Sequence, residues 1–97
     1  MKIVTLPELR TYLEAQPEDR VYFTSDKCKC PVAMYYLDVE GMEVEVFSNS
    51  IDNGDMKLIP HTPEVKMFIS YVDTYSGSIT AQECMMALKW VEDQYAK

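Results

Sequence analysis

The chain has 97 residues, 47% of them hydrophobic and 26% charged, an ordinary globular balance that argues against intrinsic disorder and suits a single domain over residues 1–97 with a modest core. Its formal net charge is −7. Binding to nucleic acid or to an anionic membrane draws most of its affinity from lysine and arginine, so neither is expected as a direct ligand, and a protein with a basic surface is the better partner.

No apolar run approaches the roughly 20 residues of a membrane span, and the start of the chain lacks the apolar stretch of a secretion signal, so a cytoplasmic protein is expected. Three cysteines, Cys28, Cys30 and Cys84, are an odd number and are read as reduced thiols.

The first helix is announced by Thr5-Leu6-Pro7-Glu8, in which Thr5 caps the open amides and Glu8 stands where a capping box places its acid. Leu6, Leu9 and Leu13 recur at spacings of three and four, giving one apolar stripe beside Tyr12. Pro17 excludes a helical conformation at the residue before it, which ends the helix near Gln16. Arg20-Val21-Tyr22-Phe23-Thr24 is rich in β-branched and aromatic residues and reads as a strand.

A polar loop over 25–30 leads to Pro31 in a first helical turn, a short helix through Leu37, and Gly41 as its end. Glu43-Val44-Glu45-Val46 alternates acid and apolar residues, as a half-buried strand does. Asp52-Asn53-Gly54-Asp55 supplies a tight turn, and 56–59 is expected to return as the partner of 43–47.

Thr62-Pro63-Glu64 starts a third helix, with Val65, Phe68, Ile69 and Val72 on one face, although Val65, Met67, Ile69 and Tyr71 also alternate as in a strand. Gly77 breaks that pattern, and Thr80 with Glu83 begins a last helix that runs to about Tyr95. The expected fold is therefore α+β in the order α-β-α-β-β-α-α: a small antiparallel sheet of about three strands with helices packed on one face.

Chemistry is sparse. Cys28, Cys30, Cys84 and His61 are zinc-ligand types, but the C-x-C pair and the two isolated residues lack the spacing of a closed zinc site. Asp52, Asn53 and Asp55 begin like a calcium loop, yet its twelfth position falls on Pro63. His61 lies in a connection, where a loop histidine outweighs a general base. No catalytic residue, metal or cofactor is assigned, and the chain is expected not to be an enzyme.

What stands out is that Lys29 and Lys57 bracket Asp38, Glu40, Glu43, Glu45, Asp52 and Asp55 with no cation between. Glu43 and Glu45 would leave one strand face about 7 Å apart, close to the spacing of successive phosphates. Among the aromatics, Tyr12, Phe23, Tyr36, Phe68 and Trp90 are read as core. Tyr35, Tyr71, Tyr75 and Tyr95 fall off the apolar stripes and suit an interface, as does one of the adjacent Met85 and Met86.

The Leu9-x3-Leu13 helix, Gln16-Pro17-Glu18-Asp19-Arg20-Val21-Tyr22, Asp26-x-Cys28 and Ala33 together resemble a pattern found in small proteins encoded by phages and other mobile elements. The acidic character is similar to that of anti-CRISPR and other anti-defence inhibitors, several of which present carboxylates where a nuclease complex expects phosphate. The resemblance implies a non-enzymatic inhibitor of a host nucleic-acid-handling protein. Asp38, Glu40, Glu43, Glu45, Asp52 and Asp55 would be its contact residues, with Tyr71 and Tyr75 beside them. The alternative is a small structural or regulatory protein, homodimeric through a Tyr and Met surface.

Overall fold

The computed structural model describes residues 2–52, 54 and 58–96. In chain order the elements are α1 (Leu6–Glu14), β1 (Val21–Phe23), α2 (Pro31–Tyr35), β2 (Glu45–Val46), β3 (Ser50–Asp52), β4 (Leu58–Pro60), α3 (Pro63–Val72), β5 (Ser78–Thr80) and α4 (Ala81–Tyr95), and α2 continues as a π-helical turn over Tyr36–Glu40. The fold is α+β, as its sequence patterns indicate, with a three-stranded antiparallel sheet ordered β2-β3-β4. A second antiparallel sheet pairs β1 with β5.

The helix starts follow their caps. Glu8 accepts from both the amide and the hydroxyl of Thr5. Thr62 accepts from the Val65 amide, and at α4 the Thr80 hydroxyl accepts from the Glu83 amide while Glu83 accepts from the Thr80 amide, satisfying two otherwise open groups. For residues 63–72 helical periodicity prevails over alternation: Val65, Phe68, Ile69 and Val72 are buried in one stripe. Burying four apolar side chains on one face stabilises more than a two-sided strand there.

The strands differ from expectation in two ways. The chain turns already at Ser48-Asn49, closed by the Phe47 amide on the Ser50 carbonyl at 2.8 Å, so β2 pairs with β3, and β4 pairs with β3 rather than with 43–47. Asparagine tolerates turn conformations without a glycine, which is why this turn carries weak punctuation. Of the expected Asn-Gly turn, Asn53 and Asp55 lie outside the described residues, as do 56 and 57 of the return strand. Gly54 has φ +98° and donates its amide to Asp52 Oδ1.

The second difference is β5. The strand expected at 20–24 does not join the other strands but pairs with Ser78–Thr80, a three-residue segment too short to show periodicity.

The core gathers Leu9 and Leu13 of α1, Phe68 of α3, and Leu88 and Val91 of α4, all essentially without exposure. α4 packs against both α1 and α3. In the π-helical turn, Tyr36 points inward, its hydroxyl accepting from the Val4 amide and donating to the Lys2 carbonyl, each at 2.9 Å. That pair of bonds straps the segment before α1 to the end of α2. Gly41, at φ +68°, closes the turn in the left-handed region that glycine occupies without strain.

Candidate binding groove

β1 has one residue inward and two outward, the alternation of any strand. Tyr22 is buried, whereas Val21 is 49% and Phe23 48% exposed. Facing them, the continuation of α2 presents Leu37 at 41% exposure, with Met34 one turn earlier. Val44 closes the far side. Between these walls lies an open groove of about 410 Å³ with Arg20, Lys29 and Glu43 on its polar lip. The apolar walls are this exposed because nothing else in the described structure covers them.

The acids occupy three distinct settings. Asp38 Oδ2 accepts from the Tyr12 hydroxyl at 2.7 Å and lies 2.9 Å from Arg20 Nη2. Tyr12 in turn accepts from Tyr22 at 3.1 Å, and the Arg20 guanidinium lies 5.0 Å from the Tyr22 ring centre. Asp38 is thus committed to an internal network.

Glu45 and Asp52 stand directly opposite each other on β2 and β3, an unfavourable like-charge pairing. Lys27 relieves it by pairing with Glu45 at 2.9 Å. Glu40 and Glu43 are exposed and in no ion pair among the described residues. Val44 and Val46 are buried between the two glutamates and beyond, as alternation requires, although Glu43 precedes β2 rather than belonging to it. Asp55 lies outside the described residues. The stretch that is free of cations in sequence is therefore met in space by Arg20 and Lys27.

The aromatic residues need three corrections. Tyr35 is buried, set edge-on to Tyr12 and Tyr36 at 5.7 and 5.3 Å, because the π-helical turn brings α2 down on α1. Phe23 and Trp90 are outside rather than in the core, Trp90 at 42% exposure. Tyr71 and Tyr75 are half-buried and adjoin each other at 6.4 Å, with Trp90 5.3 Å from Tyr71, so this second aromatic face lies on α3 and α4, with Met86 exposed on α4. Five consecutive non-alternating residues at 20–24 hide which side of the strand faces in, so the groove wall was not legible there.

The thiols and histidine sit apart. Cys28 is exposed, and Cys30 and Cys84 are buried, their pKa values pushed up by burial to about 11 and about 12. His61 is buried with Nε2 3.0 Å from the Phe47 carbonyl; a carbonyl only accepts, so that nitrogen carries the proton. No three His, Cys, Asp or Glu side chains among the described residues gather where they could hold a metal ion. No helix among those residues is long and apolar enough to cross a membrane.

Comparison of the chain with protein-family models, with curated proteins and with solved structures finds no match.

Proposed function

We propose that this protein is a non-enzymatic binding protein that inhibits a partner by occupying its surface, and that the contact is the groove between β1 and the π-helical turn. The carrying observation is the trio Val21, Phe23 and Leu37, each 41–49% exposed on facing walls. Apolar surface left open in a polar rim is what interaction sites show. Glu43 on the lip and the neighbouring Glu40 add charge that favours a basic partner. Of the two cations on the groove's lip, Arg20 is already taken by Asp38, and Lys29 stands against Glu43 and the nearby Glu40. A nucleic-acid-handling protein, whose basic surface awaits phosphate, fits that chemistry best.

The test compares capture of one partner from a host lysate by the parent, by F23S/L37S and by E40Q/E43Q, all three first shown to melt alike. The groove variant is expected to lose the partner at every salt concentration, and the amide variant to weaken mainly at low salt. Duplex DNA should compete with the parent for the same partner. Full retention by F23S/L37S rejects the groove.

A second reading has its own observation. Met86 and Trp90 on α4 are 60% and 42% exposed, and the Trp90 ring lies tilted 5.3 Å from Tyr71, an apolar face suited to pairing with a second copy. Sedimentation of the parent and of M86A/W90A decides it: a parent dimer that the variant abolishes establishes this face, and a monomeric parent removes it.

A further inference from the structure

We infer that the groove takes its partner as an extended strand added to the outer edge of β1, with the main chain of Val21 as the anchoring point. This rests on the groove being the contact surface, and it adds how the partner is held and what chemistry it carries.

The inference comes from where the backbone groups of β1 point. Tyr22 is opposite Ile79 in the ladder with β5, and the neighbouring bonds run from Ala81 to the Arg20 carbonyl at 2.8 Å and from Thr24 to the Gly77 carbonyl at 3.1 Å. In an antiparallel pair the bonding groups alternate from side to side. Residues 20, 22 and 24 therefore face β5, and residues 21 and 23 face away from it. The Phe23 amide is used on that outer side, donating to the Lys29 carbonyl at 3.2 Å. The amide and carbonyl of Val21 have no hydrogen-bond partner among the described residues. They lie on the strand whose side chains form one wall of the groove.

An open strand edge beside an apolar groove is the arrangement by which sheets take up extended peptides, main-chain bonds giving affinity and alternate side chains giving selectivity. Here the edge is short, since the Lys29 carbonyl caps its far end. It offers one bridge, centred on Val21, with Phe23 and Leu37 to receive the apolar side chains on either side. The partner segment should carry apolar residues at alternate positions and a lysine or arginine that reaches Glu43. A second copy of this chain is the poorer occupant, because two chains of charge −7 repel.

The probe is an N-acetylated, C-amidated heptapeptide Lys-Val-Thr-Val-Thr-Val-Lys, titrated into the 15N-labelled protein beside an analogue N-methylated at its central amide. The proposal expects binding in the millimolar range or tighter, at least tenfold slower hydrogen exchange at the Val21 amide, and at least tenfold weaker binding of the analogue. A V21P variant removes the outward donor together with the Val21 side chain, and V21A, which trims that side chain but keeps the donor, is its control; proline is tolerated where an edge amide faces solvent, and at unchanged melting V21P should hold the captured partner at least tenfold more weakly than V21A.

Equal binding of the two peptides, no binding at all, or a V21P variant that holds the partner as well as V21A does overturns strand addition. Self-association of the parent that V21P abolishes also overturns it and makes a second copy the occupant. If strand addition fails while F23S/L37S still loses the partner, the groove stands without it. If F23S/L37S keeps the partner, the groove itself is wrong.

Discussion

Tyr12 donates a 2.7 Å hydrogen bond to Asp38 Oδ2, which ties the middle of α1 to the π-helical turn that forms one wall of the groove. Arg20, just before β1, approaches the same oxygen at 2.9 Å, so one carboxylate ties α1, the π-helical turn and the entry to β1 together. Burial also raises the Tyr12 pKa far above its ordinary range, keeping the hydroxyl a donor at any working pH. This network ties both walls of the groove to α1.

D38A should therefore destabilise the fold by about 1.5 kcal/mol, within the usual cost of removing a charged acceptor from its donors. E40Q, two residues on at an exposed site, should change stability by no more than about 0.5 kcal/mol. Urea unfolding of both variants checks this. Equal midpoints would show that the Asp38 network contributes nothing.

Thiol reactivity follows from burial. Cys28 is exposed, while Cys30 and Cys84 are shielded, with pKa values of about 11 and about 12. The thiolate is the reacting form. At pH 8 the folded protein should titrate one thiol with a disulfide reagent, and the urea-unfolded protein three. Rapid reaction of two or more in the folded state contradicts the packing of α2 and α4.

His61 gives a pH dependence of definite sign. Burial lowers its pKa below the ordinary imidazole value, with Lys66 adding to the effect and hydrogen bonds to the backbone of Phe47 and Ser50 opposing it. The unfolded chain consequently binds the proton first as pH falls. Stability should be full above about pH 6.5 and decline from there down through the lower folded pKa. H61Q should flatten that slope whatever its effect at neutral pH. A parent whose stability is flat between pH 7 and pH 5 rules the assignment out.

Local signals carried much of this fold. The caps at Thr5, Thr62 and Thr80 mark the starts of three helices, and the ends of the first and last fall within two residues of those expected. Long-range relations were invisible for a physical reason. The three residues of β5 are a strand only because β1 lies beside them. The acids of 38–45 look unopposed because Arg20 and Lys27, which neutralise two of them, arrive from a loop and strand earlier in the chain. Glu40 and Glu43 remain the exposed acids nearest to what the pattern anticipated, and Phe23, expected inside, became a wall of the groove.

The most direct measurement is amide hydrogen exchange of the protein alone and with its captured partner. Binding through the groove predicts new protection at residues 20–23, 33–37 and 43–44, with Val21 among the most slowed and α3 and α4 unchanged. Protection confined to Tyr71, Tyr75 and residues 86–90, with 20–23 exchanging as in the free protein, would contradict the groove and move the contact to the aromatic face of α3 and α4.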